Sequence, residues 1–169
     1  MYNSIIKNFT KSLAIFSFII IFLASPAFSE EANNVTELTN EAEQYLMKGE
    51  YRKSIIIYDN ILEFFPAEPK IHEMKGIALS NIRLQSTLAS QETTNAPTKY
   101  DILDTNKLSM LEFYKALQIN PNSVTSLNGL GLGFGNFGEY NEAKKYFTRA
   151  IEIEPDNFVS KNYLDYLEK

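Results

Sequence analysis

The chain has 169 residues, a formal net charge of −5, one histidine and no cysteine. That composition excludes disulfides, thiolate nucleophiles, cysteine-ligated zinc, a lipid-modified cysteine anchor and any His-rich metal site. No basic stripe offsets the acidic balance, so phosphate backbones are repelled and nucleic acid is not an expected partner.

Lys7 and Lys11 precede an apolar run of twelve residues, Leu13 to Ala24, followed by small residues at Ser25, Ala27 and Ser29 and then by Glu30 and Glu31. A basic start, a short apolar core and a small-x-small exit are the three parts of a secretory signal peptide. The run is shorter than the roughly 20 apolar residues that span a bilayer. Cleavage is therefore expected after Ala27 or Ser29, and residues 1–29 are set apart from the folded part. Removal takes the net charge from −5 to −7 and leaves 142 or 140 residues, one domain's worth. The alternative keeps residues 13–28 as an N-terminal membrane anchor. Either way the folded part is expected outside the cytoplasm: extracellular, periplasmic or on the outer face of the cytoplasmic membrane. Asn34-Val35-Thr36 is a glycosylation sequon on an exported chain, and the same Asn34 also suits the N-cap of a helix starting at Val35.

From Val35 onward the chain repeats. Pro66, Pro121 and Pro155 each follow a small residue twelve positions back (Ser54, Ser109, Ala143) and a large aromatic eight back (Tyr58, Phe113, Phe147). Pro121 and Pro155 are 34 residues apart, and Pro66 and Pro121 are 55 apart, which is one period plus 21. A period of this length is the mark of a helix–turn–helix array, and the excess marks an insertion in the middle copy.

Copy one, residues 35–68, has Leu38, Ala42 and Tyr45 on a first helix, a turn at Gly49-Glu50-Tyr51, and Ser54, Tyr58 and Ile61 on a second. Copy two, residues 69–123, opens on Pro69, a good first-turn residue, and carries His72, Gly76 and Leu79. Its second helix holds Ser109, Phe113 and Ala116 and is expected to start soon after Pro97. The insertion at 83–103 contains the Ser/Thr-rich stretch Ser86 to Pro97, which reads as a flexible loop at the tip of an elongated hairpin. In copy three, residues 124–157, Leu127, Leu130, Gly131 and Phe134 recur at three and four residues, a helical stripe. Gly138 closes that helix, and Ala143, Phe147 and Ala150 share one face of the next. Asp156 or Asn157 caps a last helix from about Phe158 to Leu167, within a capping segment 158–169 whose Lys161, Asp165 and Glu168 face water.

The pattern Leu127-x2-Leu130-Gly131-x2-Phe134, Ala143-x3-Phe147, Ala150 and Pro155 resembles the tetratricopeptide repeat, departing only at Leu127, where the family has an aromatic. The resemblance implies an all-α fold, an α–α superhelix of three helical hairpins plus a C-terminal capping helix. It also implies a concave groove, lined by the first helix of each hairpin, that takes an extended peptide or a partner's helix. The groove positions carried over are Thr39, Glu43 and Met47; Glu73, Ile77 and Asn81; and Asn128, Leu132 and Asn136. A subclass of the family grips chaperone carboxylates with a Lys/Arg/Asn clamp. At those places this chain has Thr39, Glu43, Met74, Thr125 and Gly129, so the clamp is absent.

Several features mimic chemistry. Gly133-Phe-Gly-Asn-Phe-Gly138 spells a dinucleotide fingerprint, but that motif works after a strand, and here a helical stripe precedes it. Gly131 answers the packing pattern; Gly135 is expected to face the groove, where a missing side chain lets a partner's backbone come close. His72 has no candidate nucleophile beside it and reads as a packed histidine. Glu43 and Glu73 fall on neighbouring hairpins, and a paired acid site there is the weaker reading of two solvated carboxylates. Tyr45, Tyr58, Phe113, Phe134 and Phe147 sit on core positions. Ile55-Ile56-Ile57 cannot all face inward on one helix, so one is exposed or meets a second copy of the chain.

These readings converge on an exported, non-catalytic protein-interaction module, a scaffold or assembly factor that needs no cofactor or metal. Its expected partner is a protein or peptide. Membrane association through residues 13–28 and self-association stay open. The competing readings are a membrane-anchored scaffold of an envelope complex and, from another class, a small-ligand-binding or enzymatic domain.

Overall fold

The computed structural model describes residues 26–89 and 99–167. Among the described residues there are seven α-helices and no strand: α1 (Pro26–Met47), α2 (Tyr51–Phe64), α3 (Pro69–Ala89), α4 (Lys99–Ile119), α5 (Val124–Asn136), α6 (Tyr140–Ile153) and α7 (Phe158–Leu167). The chain divides into two compact units, residues 1–38 and 39–169, and α1 carries residues of both. No described helix is long and apolar enough to cross a membrane.

In the first unit the described part is helix. α1 begins at Pro26, upstream of the start expected at Val35, and passes through Ala27 and Ser29, the expected scission points. Asn34 therefore lies inside the helix, exposed, and is not an N-cap. Residues 1–25, with the expected apolar run, lie outside the described residues.

The second unit is an α–α superhelical stack in which α2 packs on α3, α3 on α4, α4 on α5, α5 on α6 and α6 on α7. The turns come from glycine. Gly49 (φ 76°) and Gly138 (φ 80°) take the left-handed conformation that L side chains avoid. Each closes a helix with the same pair of bonds: Glu50 N–H to Tyr45 O and Gly49 N–H to Leu46 O, then Glu139 N–H to Phe134 O and Gly138 N–H to Gly135 O. This is the Schellman arrangement, which satisfies two orphan carbonyls at once. The second helices end before proline instead: Phe65 N–H reaches Ile61 O ahead of Pro66, and Glu154 N–H reaches Ala150 O ahead of Pro155.

The inward stripes are those the periodicity predicts. Tyr58, Ile61, Phe113, Leu127, Leu130, Ala143, Phe147 and Ala150 are buried, and Met110, Phe113 and Leu130 form a core cluster against which Ile77, Leu117, Phe134 and Tyr146 pack. Of the three consecutive isoleucines, Ile56 is the exposed one. The Tyr45 ring is half-buried, with Lys53 Nζ from α2 5.1 Å from its centroid.

The middle hairpin departs from its neighbours. α3 and α4 have 21 residues each, against 14, 13 and 14 for α2, α5 and α6. At 1.5 Å per residue the difference is about 10 Å of extra helix. α3 continues through Ser86 to Ala89, into the stretch read as loop, because neighbouring helical turns outweigh the weak helix propensity of Ser and Thr. The remainder of that expected loop, residues 90–98, lies outside the described residues. A polar seam sets the register of the pair: Ser80 Oγ and Ser109 Oγ are 2.6 Å apart, and Ser109 Oγ donates to Gly76 O at 2.9 Å.

Candidate binding groove

The groove positions fall into three rows, one residue per first helix in each row. Residues four apart on a helix share a face, so α1, α3 and α5 each contribute a stripe.

The first row is Thr39, Glu73 and Asn128, and two of its members are engaged in joining hairpins. Glu73 is only 8% exposed, and its Oε1 accepts a 2.5 Å bond from Ser123 Oγ. Ser123 is the N-cap of α5: its Oγ accepts from Ser126 N–H at 3.0 Å and lies 3.0 Å from Ser126 Oγ. The same device recurs one repeat later. Asn128 donates to Asn157 Oδ1 at 3.0 Å and accepts from Ser160 Oγ at 2.5 Å, and Asn157 Oδ1 caps α7 by accepting from Ser160 N–H at 3.0 Å. α3 and α5 thus each brace the N-cap of the first helix that follows. Glu73 and Asn128 are junction residues, not open groove. Thr39, at the matching position of α1, is half-buried. The carboxylate of Glu73 is committed to Ser123 and stands 4.0 Å from Lys70 Nζ, so it does not serve a paired acid site with Glu43.

The second row, Glu43, Ile77 and Leu132, is half-buried throughout. Ile77 leans on the Met110–Phe113–Leu130 cluster. In the third row Met47 is 80% exposed. Asn81 turns its Nδ2 back to Ile77 O of its own helix at 3.0 Å. Asn136 is exposed and donates a long 3.4 Å bond to Oδ1 of the buried Asn106, which itself donates to Gly133 O at 3.1 Å. Leu132 and Asn136 also border a cleft of about 160 Å³ between α5, α6 and α7.

The glycines divide by packing. A Cβ added at Gly76 or Gly129 would come closer than 3.0 Å to the Phe113 ring, which lies between the two backbones. Gly131 meets Phe147 and Gly133 meets Met110 in the same way. The sequence pattern alone singled out Gly131, whereas Gly129 and Gly133 are equally demanded by α4. Gly135 is different, with nothing within 4 Å of its added Cβ.

Away from these rows, α2, α3 and α4 enclose a charged cluster beside a cleft of about 490 Å³. His72 is buried as expected, with Nδ1 2.6 Å from Glu112 Oε2 and Nε2 3.0 Å from Pro66 O. Glu112 Oε1 also accepts from Lys75 Nζ at 3.0 Å and Lys115 Nζ at 3.1 Å, and Lys75 reaches Asp59 at 2.7 Å. Burial pushes the Glu112 carboxyl up, but the hydrogen bonds from His72, Lys75 and Lys115 outweigh it and hold the group below its ordinary 4.5. Burial pulls Lys75 down, and its bonds to Asp59 and Glu112 reverse that and raise it above 10.5. Both ring nitrogens of His72 are occupied, one of them by a backbone carbonyl, so the cluster ties the turn after α2 to α4. Sequence reasoning missed Glu112. The available signal was a carboxylate falling on the Ser109–Phe113–Ala116 inward stripe.

Comparison with known proteins supports this architecture. The tetratricopeptide-repeat family model matches residues 124–157, the third hairpin. Superkiller protein 3 of Schizosaccharomyces pombe is 34% identical over 36% of this chain and 4% of its own length. Regulator of microtubule dynamics protein 1 of Rattus norvegicus is 36% identical over 31% of the chain and 23% of its own length. The chain thus spans under a quarter of either curated relative. Among solved structures, the Arabidopsis OM64 TPR domain has a TM-score of 0.65 at 14% identity, covering 79% of this chain and 93% of that one. The first TPR of Spaghetti (RPAP3), bound to the HSP90 peptide SRMEEVD, has a TM-score of 0.62 at 19% identity, covering 79% and 90%. At these identities the likeness establishes a shared fold.

Proposed function

We propose that this chain is an exported, non-catalytic interaction module that binds an extended segment of a protein partner along the groove face of α1, α3 and α5. The observation that carries the reading is the chemistry left open there. Met47, Leu132 and Asn136 offer apolar contact and an amide, while Glu73 and Asn128 hold the hairpins in register behind them. A neighbour of the same fold holds a peptide, which supports a peptide ligand here. That peptide is acidic, and the clamp positions Thr39, Glu43, Met74, Thr125 and Gly129 bring no cation to meet such a tail, so the ligand sought here is of another kind.

Proximity labelling in cells with the tag at Lys169 tests the reading. Leu132→Glu combined with Asn136→Lys should remove the labelled partner, while Ile56→Glu on the exposed face of α2 should not. Identical labelling by all three proteins would sink the groove. The uncleaved, membrane-anchored alternative rests on the apolar run within residues 13–28. Intact mass of the chain recovered from cells decides it, because export with cleavage removes residues 1–27 or 1–29. A ligand-binding or enzymatic domain would instead show a thermal shift with a metabolite.

A further inference from the structure

Four glycines lie in α5, and three of them have a packing reason, a ring or a methionine where a side chain would go. Gly135 has none. It lies in the last turn of α5, where glycine costs up to about 1 kcal/mol relative to alanine, and its added Cβ would enter open space. That space is the cleft between α5, α6 and α7, whose rim is formed by Tyr140, Tyr163 and Tyr166, with Leu132 and Phe147 deeper and Asn136 at the edge. The three tyrosines are 55%, 41% and 69% exposed, and Tyr163 is stacked on Phe147 at 5.0 Å. Tyr166 stands 34 positions after Leu132, so the second groove row continues onto the capping helix.

No acidic or basic side chain lines this cleft, in a chain where such residues make up 22% of the total. A charged group entering would lose its hydration without gaining a counter-ion. An uncharged ring would meet the side chains of three partly exposed tyrosines. The volume, about 160 Å³, is near the roughly 150 Å³ of an apolar cavity that accepts benzene. We infer that the cleft is the anchor pocket of the groove: it takes a phenylalanine-type side chain of the bound peptide, whose backbone crosses Gly135 within reach of the Asn136 amide. The Asn136 bond to Asn106 is near the outer limit for N–H···O, so the amide is available for exchange. The inference rests on the peptide-groove reading and adds the chemistry of the residue recognised.

The test is a ¹H–¹⁵N titration of the full chain with acetyl-Gly-Gly-Phe-Gly-Gly-amide, and with the same peptide carrying Glu for Phe. Saturable shifts are expected at the Gly135 and Leu132 amides with the first peptide, with at least tenfold weaker binding of the second. Gly135→Leu fills the pocket without meeting a neighbour at its Cβ, so it should fold and weaken the phenylalanine peptide at least tenfold. Tyr166→Lys, on the exposed rim, should do the same. No saturable shift at Gly135, or equal binding by Gly135→Leu and the parent, overturns the pocket. Shifts confined to Glu43 and Ile77 also overturn it while leaving the groove reading intact, and loss of partner labelling in the groove variant judges that reading separately.

Discussion

Phe113 is held between two glycine backbones, Gly76 of α3 and Gly129 of α5, and is 2% exposed. A methyl added at Gly129 has no free volume to enter. Overpacking of about 1–3 kcal/mol should therefore outweigh the roughly 1 kcal/mol that alanine gains over glycine in a helix. Gly129→Ala is expected to be less stable than the parent in urea denaturation. Gly135→Ala meets nothing and should be more stable by up to about 1 kcal/mol. If the two variants shifted in the same direction, the packing assignment of these glycines would be wrong. Glu112 offers a second test at this scale. Its carboxylate is 5% exposed and receives His72, Lys75 and Lys115. Glu112→Gln leaves those donors facing a neutral amide and should lower stability by about 3 kcal/mol, the low end for breaking a buried ion pair. A loss under 1 kcal/mol would mean that the cluster is solvated.

Among elements, the junctions between hairpins carry a repeated design. The N-cap of each incoming helix, Ser123 for α5 and Asn157 for α7, is bonded by a residue of the preceding first helix, Glu73 or Asn128. An N-cap is normally worth about 1 kcal/mol. Here its removal also orphans the bracing residue. Asn157→Ala should therefore cost roughly 2 kcal/mol and raise amide exchange throughout α7 ahead of α5 and α6. Uniform exchange across the three helices would refute the brace. Helix lengths followed a similar logic. Ser86 to Ala89 continue as helix because a neighbouring turn supplies what Ser and Thr lack, and propensity read residue by residue pointed the other way.

For the whole molecule, the titrating groups set a stability window. Glu112 is held below its ordinary value, so its contribution is present above pH 4.5 and is lost as the pH falls through the folded-state value. Lys75 is raised, so its contribution is present below pH 10.5 and is lost above it. Tyr58 acts in the same direction, pushed up to about 12 first by burial and then by the nearby charge of Glu43. A melting-temperature profile should therefore fall on the acid side through Glu112 and on the alkaline side through Lys75 and Tyr58. In Glu112→Gln the acid-side fall should shrink, and an unchanged acid limb would assign it to other carboxylates.

The hairpins, their turns and the capping helix were legible in the chain because they are local. Gly49 and Gly138 at helix ends, a proline after each second helix, and apolar residues at three- and four-residue spacing act over distances shorter than one repeat. The three rows were legible as helix positions, but the partners of their members were not. Glu73 and Asn128 look like free groove residues until Ser123 and Asn157 are seen to reach them from 50 and 29 positions away. The reason for Gly129, the partners of Glu112 and the space beside Gly135 have the same origin. Each depends on where a separate helix lies, and periodicity along one helix holds no information about the atoms that another brings against it.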